Sequence, residues 1–278
     1  MKVGLLMLLK TRTKTYDLAK RTHIMGILNV TPDSFSDGGK YTTIEKAVQQ
    51  AIEMEELGAD IIDIGGESTR PNHQPVSLQE ELDRVLPAIE AVKEHVEIPI
   101  SIDTYKAEVA RQAIEAGADI INDIWGAKKE PEMAEVAATY QVPIILMHNR
   151  TNMNYRSLID DMKADLSESI EIALNAGVPE ENIILDPGVG FAKTVDHNLM
   201  VMNQLEQFAD LGYPLLLGTS RKTFIGEIIH VAPEQRDYGT GATTCLGIMK
   251  GVHIVRVHNV KVNKHLAKVM DAILKRGL

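Results

Sequence analysis

A chain of 278 residues with 44% hydrophobic and 24% charged side chains is long enough for one large globular domain, and its composition excludes a disordered, collagenous or coiled-coil protein. A formal net charge of −10 and an aromatic content of 4% provide neither the electrostatic footprint nor the stacking platform that nucleic-acid binding requires. Cys245 is the single cysteine, so an intramolecular disulfide and a cysteine-based metal cluster are both excluded, a pattern that fits a reducing cytosol.

The first apolar run, Val3 to Leu9, lies between Lys2 and Lys10. It is far shorter than the roughly 18 residues of a membrane span, and no small-residue cleavage site follows it. It is expected to be a strand or short segment covering one end of the core; residues 1–22 otherwise carry no assignable role. From there short β-branched runs alternate with longer amphipathic stretches. Strands are expected at His23–Val30, Asp60–Gly66, Ile98–Thr104, Asp119–Gly126, Pro143–His148, Asn182–Gly188, Pro214–Ser220 and His253–Asn259. Helices are expected at Thr43–Leu57, Leu78–Glu94, Lys106–Ala116, Glu132–Tyr140, Ser157–Ala176 and Val195–Leu211. Short apolar runs bounded by turn residues suit strands buried on both faces of a parallel sheet.

The helix-to-strand joins repeat. Gly58-Ala59-Asp60-Ile61-Ile62 and Gly117-Ala118-Asp119-Ile120-Ile121 share one pattern, and Gly177-Val178 and Gly251-Val252 resemble it. Glycine just past a helix end takes the left-handed conformation without a Cβ penalty, so these positions mark where each helix stops. Eight such units predict a single α/β domain over residues 23–278, a (β/α)8 TIM barrel with its active site at the C-terminal ends of the strands. A doubly wound sheet would need a Gly-rich turn after the first strand, and Asn29-Val30-Thr31-Pro32-Asp33 stands there instead.

Polar residues gather at those strand ends: Asn29, Glu67 to Arg70, Asp103, Asn122 and Asp123, Met147-His148, Asp186, Ser220 to Lys222, and Arg256 with His258. Burying so many polar groups is costly for folding alone, which marks a site. Period-two alternation puts Ser101 with Asp103, Asn122 with Ile124, and Ile254 with Arg256 and His258 on common faces. Asp103, Asp186 and the Asn122 amide could grip a flat nitrogen-rich heterocycle, because a carboxylate accepts two parallel N–H bonds from a guanidine-like edge. At the other end Arg256, His258 and the Asn29 oxygen could hold an anion and a hard metal ion such as magnesium, which takes few protein ligands beside a phosphate.

Met25-Gly26-Ile27-Leu28-Asn29-Val30-Thr31-Pro32-Asp33-Ser34-Phe35-Ser36-Asp37-Gly38-Gly39 resembles the first signature of the dihydropteroate synthase family, and Asp63-Ile64-Gly65-Gly66-Glu67-Ser68-Thr69-Arg70-Pro71 its second. Ser101-Ile102-Asp103-Thr104, Asn122-Asp123, Leu185-Asp186-Pro187-Gly188, Ser220-Arg221-Lys222 and Arg256-Val257-His258 match further. The resemblance runs from about Ile24 to the C-terminus. It implies a transferase of folate biosynthesis that joins a dihydropterin methyl diphosphate to 4-aminobenzoate and releases pyrophosphate, in a cytoplasmic homodimer that uses Mg2+ and is competed by sulfonamides. Carried over, Asn29 is the metal ligand; Asp103, Asn122, Asp186 and Lys222 hold the pterin, with Ile124 and Met147 packing on its ring. Asn29, Thr69, Arg256 and His258 bind the diphosphate. Phe35, Arg70, Pro71, Phe191, Lys222 and Thr223 form the aminobenzoate pocket, and Asp103, Lys222, Arg256 and His258 are the catalytic set. Lys261–Arg276 and its neighbouring helix are the implied dimer surface. Asn72 and Thr223 depart from the family pattern, which often has glycine and serine there; threonine keeps the hydroxyl.

Other residues read as structural. Asp63 lies inside an apolar strand and is assigned to structural hydrogen bonding, Asp123 alternates away from Asn122 as a scaffold partner, and Trp125, His148 and Cys245 are read as packing or structural groups, Cys245 as buried. Arg70 and Arg221 flank the site and could steer an anion. The Gly-, Asp- and Ser-rich stretch Thr31–Lys40 is expected to close over the diphosphate. A methyltransferase acting on a methylated pterin is the alternative, and the full first loop argues against it; a metal-dependent hydrolase would want a His-x-His pair, which the strand ends lack.

Overall fold

The β-branched runs fold, in the computed structural model, into eight parallel strands with helices between them. The structure describes residues 7–31, 40–67 and 75–276. An N-terminal hairpin, β1 (Leu8–Lys10) and β2 (Thr15–Asp17), precedes the barrel strands β3 (His23–Asn29), β4 (Ile61–Gly65), β5 (Ile100–Asp103), β6 (Ile120–Asp123), β7 (Ile144–Met147), β8 (Ile183–Asp186), β9 (Leu216–Leu217) and β10 (Ile254–Val257). The hydrogen-bonded order is β8-β7-β6-β5-β4-β3-β10-β9. A parallel bridge between Leu185 and Leu215, with Leu185 N donating to the Pro214 carbonyl at 2.9 Å, brings the two sheet edges together and nearly closes the barrel.

The helices are α1 (Lys40–Glu56), α2 (Leu78–Lys93), α3 (Ala107–Ala116), α4 (Glu132–Tyr140), α5 (Leu158–Asn175), α6 (Val195–Asn203), α7 (Thr223–Ile229), α8 (Asp237–Met249) and α9 (Val260–Ile273). Two expectations are corrected. The stretch Val195–Leu211 is not one helix: α6 stops at Asn203 and a 3-10 turn covers Leu205–Leu211. Lys250 Nζ takes the Asn203 carbonyl at 2.7 Å, and Gln204 leaves helical geometry at φ −121°. The seventh strand pairs only over Leu216–Leu217, because beyond Gly218 the chain turns, Lys222 N donating to Thr219 O at 3.1 Å.

Alternation along the strands separates two cores. Outward residues such as Ile24, Ile62, Ile102, Ile121, Leu146, Leu185 and Val255 pack against the helices. Inward residues Met25, Ile61, Ile120, Ile145, Ile184, Leu216 and Ile254 form an apolar floor, and Leu9 and Leu18 of the N-terminal segment complete it from below. Two residues further along, four of the strands place polar side chains inward, at Asp63, Asn122, Asp186 and Arg256. The hairpin thus seals the end of the barrel opposite the expected site, with Met7 and Leu9 in the covering role expected of the first apolar run, whose residues 3–6 lie outside the described residues.

The repeated Gly-Ala-Asp join has a reason beyond punctuation. Gly58 and Gly117 take φ 96° and 127°, as the helix-end reading requires. The aspartates that follow cap the neighbouring strand: Asp60 Oδ2 accepts Ile24 N at 2.9 Å and Asp119 Oδ2 accepts Ile100 N at 3.2 Å. Both also receive an arginine from the N-terminal segment. Arg21 grips Asp60 through two bonds of 2.7 and 3.0 Å, and Arg12 reaches Asp119 at 3.4 Å. The floor is therefore anchored by charge as well as by apolar contact. Leu18→Ala, at a side chain 1% exposed, is expected to lower stability by ~2–4 kcal/mol in chemical denaturation while leaving the affinity for ligands at the other barrel end unchanged.

Candidate active site

At the open end, Arg256 enters from β10 between two carboxylates. Its Nε donates to Asp63 Oδ2 and its Nη2 to Asp103 Oδ2, both at 2.6 Å. Asp63 Oδ2 also accepts from Asn122 Nδ2 at 3.1 Å, so one buried oxygen orients the guanidinium and the amide together. Asn122 Oδ1 is thereby turned away from Asp63. Burial opposes the charge on Arg256, but Asp63 and Asp103 more than compensate and hold its pKa above the ordinary value. Burial pushes Asp103 up to about 7; Arg256 opposes that rise and Asp63 adds to it. Asp103 Oδ1 has no hydrogen-bond partner among the described residues.

Across the barrel Asp186 ends β8. Its Oδ1 accepts Gly188 N at 2.7 Å and so caps the turn that follows. Oδ2 faces Gly218, where a Cβ would lie 3.7 Å from it and 3.9 Å from Lys222 Nζ. Burial raises Asp186 against the pull of Lys222 and lowers Lys222 to about 8 against the pull of Asp186. Lys222 Nζ also donates to the Val189 carbonyl and stands 4.7 Å from the centre of the Phe191 ring. Met147 and Ile124 are buried at the ends of β7 and β6, and Thr223 opens α7 exposed to solvent. The carboxylates, Asn122, Lys222 and Phe191 are thus brought to one barrel mouth.

The remaining polar end is built by β3 and β10. Ser220 Oγ accepts the backbone N–H of His258 at 3.1 Å and lies 2.8 Å from its Nδ1. When Nδ1 accepts the serine hydrogen, the neutral ring carries its proton on Nε2. Asn29 Oδ1 and Asp103 flank Gly65, where a Cβ would lie 3.8 Å from the former and 3.6 Å from Asp103 Oδ2. The missing side chain leaves room beside an amide oxygen. Among the described residues no group of three His, Cys, Asp or Glu side chains could cage a metal. The donor set fits only a hard ion whose coordination is completed by ligand oxygens and water.

Several expectations change. Arg221 does not face the site: its Nε and Nη2 bond both oxygens of Asp237, at 2.8 and 3.1 Å, and Asp237 also accepts Asn259 Nδ2 at 2.8 Å. Cys245 is half-buried rather than buried. Asp63 bonds structurally as expected, but its partners are site residues. Asp123 accepts the backbone N–H groups of Trp125 and Ala127 and shapes that turn, and His148 bonds Asp165 Oδ2 at 2.9 Å. Ser220 was readable as a strand-end polar group, but its tie to His258 lies 38 residues away and leaves no local signal. Phe35, Thr69, Arg70, Pro71 and Asn72, with most of the expected Thr31–Lys40 lid, lie outside the described residues.

Comparison with known proteins is unambiguous. The family model described as pterin binding enzyme matches residues 25–258. A dihydropteroate synthase of Bacillus subtilis (strain 168) is 60% identical over 267 residues, 96% of this chain and 94% of that protein, a match long enough to reach into residues 1–22. A crystal structure of dihydropteroate synthase from Clostridium difficile in the presence of pteroic acid superposes with a TM-score of 0.91 at 51% identity, covering 93% of this chain and 98% of that one. The Xanthomonas albilineans dihydropteroate synthase with 4-aminobenzoic acid gives a TM-score of 0.93 at 39% identity, covering 97% and 99%. The chain accordingly belongs to the pterin-binding enzyme family, among the dihydropteroate synthases.

Proposed function

We propose that the two-ended site carries out its reaction by a dissociative displacement. The reaction is that of the dihydropteroate synthases: (7,8-dihydropterin-6-yl)methyl diphosphate and 4-aminobenzoate give 7,8-dihydropteroate and pyrophosphate, a transferase step of folate biosynthesis. The observation that carries the mechanism is the gathering of the buried carboxylates Asp103 and Asp186 with the cations Arg256 and Lys222 at one barrel mouth, Arg256 bonded to Asp103 and Lys222 acting on Asp186 through its charge.

In this reading the guanidine-like edge of the pterin donates to Asp186, Asn122 and Asp103 Oδ1 take the opposite edge, and Lys222 donates to the ring carbonyl. Ile124 and Met147 pack on the ring. Arg256, the His258 Nε2–H and Thr69 bind the diphosphate and neutralise charge as the methylene C–O bond breaks and its electron pair leaves with pyrophosphate. Magnesium, held through Asn29 Oδ1, would add positive charge on the departing oxygens. Positive charge left on the methylene spreads into the pterin ring beside Asp103. The neutral aromatic amine then bonds that carbon and loses a proton to solvent, so no strong base is required. Phe191, Lys222 and Thr223, with Phe35, Arg70 and Pro71, form the aminobenzoate pocket in which sulfonamides compete. Closure of the Thr31–Lys40 stretch would keep water from the cation.

A homodimer is part of this proposal. Tyr238, Ala242, Cys245 and Met249 lie along one face of α8, and Val262, Leu266, Val269 and Ile273 along the adjoining face of α9. Tyr238 is 94% exposed, Met249 64% and Ile273 67%. Two neighbouring apolar stripes left to solvent are a surface for a second copy. A cytoplasmic setting, suited to a chain with one cysteine, is proposed with it.

Three measurements follow. Purified protein with the dihydropterin diphosphate and Mg2+ should release pyrophosphate, form dihydropteroate when 4-aminobenzoate is present, and show a secondary isotope effect at the methylene clearly above unity; a value near unity would rule out the dissociative route. The Asp103 carboxylate is available only above its raised pKa of about 7 and the Lys222 ammonium only below about 8. kcat/KM for the pterin substrate should therefore be bell-shaped, falling on the acid side as Asp103 protonates and on the alkaline side as Lys222 loses its proton, and Lys222→Arg should move only the alkaline limb upward. Light scattering should give twice the chain mass, and Val269→Glu together with Met249→Lys should give monomers.

A further inference from the structure

The loop after β8, residues 187–194, is bent by three left-handed residues: Gly188 at φ 65°, Gly190 at 91° and Ala192 at 48°. Alanine holds that conformation against its own Cβ, a strain that persists only where the surroundings fix it. The curl sits directly on its neighbours, since a Cβ at Gly188 would lie 2.0 Å from the His148 carbonyl oxygen. Beneath it is Lys193, 8% exposed. Its Nζ donates to Gly188 O at 2.9 Å, to Phe191 O at 3.0 Å and to His148 Nδ1 at 2.9 Å. An ammonium has three hydrogens, and these contacts use them all.

The histidine end is fixed in turn. His148 Nε2 bonds Asp165 Oδ2 at 2.9 Å, which keeps Nδ1 as the acceptor that Lys193 needs, and Arg150 Nε donates to the same aspartate oxygen. From the pocket side Lys222 donates to Val189 O, and Tyr155 holds Ala192 O at 2.9 Å. The loop carbonyls are therefore gripped from two sides by two lysines. Lys222 faces the pocket, and Lys193 faces the α5 side.

We propose that Lys193 is a positioning residue for the aminobenzoate end of the site: by gathering the Gly188 and Phe191 carbonyls it fixes the direction from which the Phe191 ring and the Val189 carbonyl meet Lys222. This rests on the reading that Phe191 and Lys222 line the aminobenzoate pocket. Lys193 touches no substrate, because its hydrogens are already committed and it lies behind the loop.

Steady-state kinetics of Lys193→Met, which keeps the apolar stem and removes the donors, test it. KM for 4-aminobenzoate should rise roughly tenfold, while kcat and KM for the pterin diphosphate change less than about threefold. A general loosening of the fold would lower the active fraction and hence kcat, without singling out one Michaelis constant. His148→Gln, which breaks the tie to Asp165 and leaves Lys193 in place, should shift the same constant in the same direction by less, and carries the comparison if the methionine variant does not fold. An unchanged KM for 4-aminobenzoate, or equal rises for both substrates, would overturn the proposal. Failure of the unaltered chain to form dihydropteroate would instead overturn the functional reading.

Discussion

Arg256 reaches the polar half of the barrel from its last strand and is held there by carboxylates 193 and 153 residues earlier in the chain. Most of the open end depends on that arrangement. A guanidinium largely withdrawn from solvent is best held by ionised partners, and removing Arg256 would strand the buried Asp63 and Asp103 carboxylates at a cost of about 3–5 kcal/mol. Asp63 is fully buried and so cannot meet a ligand itself. Its effect is exerted through the groups it holds: the Arg256 guanidinium and the Asn122 amide. The second carboxylate of the group, Asp103, keeps an oxygen without a partner among the described residues, and its pKa is raised by burial, with Asp63 adding to the rise.

The barrel is polar at one end for the same reason that it is apolar at the other. Inward positions two residues apart pass from Ile61 to Asp63, from Ile184 to Asp186 and from Ile254 to Arg256, so these strands carry an apolar-to-charged gradient. The apolar floor needs a cover, and the N-terminal segment supplies Leu9 and Leu18. The charged end needs internal pairing, and cross-barrel ion pairs provide it. Ser220 and His258 extend this polar set toward the rim, the serine oxygen meeting both the backbone N–H and Nδ1 of the histidine.

Repetition and alternation made the strand order, the barrel and the face of each strand-end residue legible in the sequence, and the long first signature made the chemistry legible. What the sequence did not disclose are partnerships between distant positions. Asp63 looked like a lone polar residue in an apolar strand because nothing near it in sequence announces Arg256. The Gly-Ala-Asp joins were read for their glycines, while the aspartates turned out to cap neighbouring strands and to receive Arg12 and Arg21. Arg221 was placed beside the site by its motif neighbours, yet a positive φ of 58° and Asp237 turn it aside. The break after Asn203 depends on Lys250, 47 residues on, and a helical pattern cannot register a competitor for its carbonyl.

The same long separations bear on how the chain is made. Thr22, just before β3, gives its backbone N–H and its hydroxyl to Asp271 of α9, 249 residues later, and β3 finds one of its two sheet neighbours in β10. Residues made early are therefore secured by residues made long after them. Until β10 has emerged, β3 keeps an edge of unpaired N–H and C=O groups. The interval before those elements pair is one in which this edge is open to other unfinished chains.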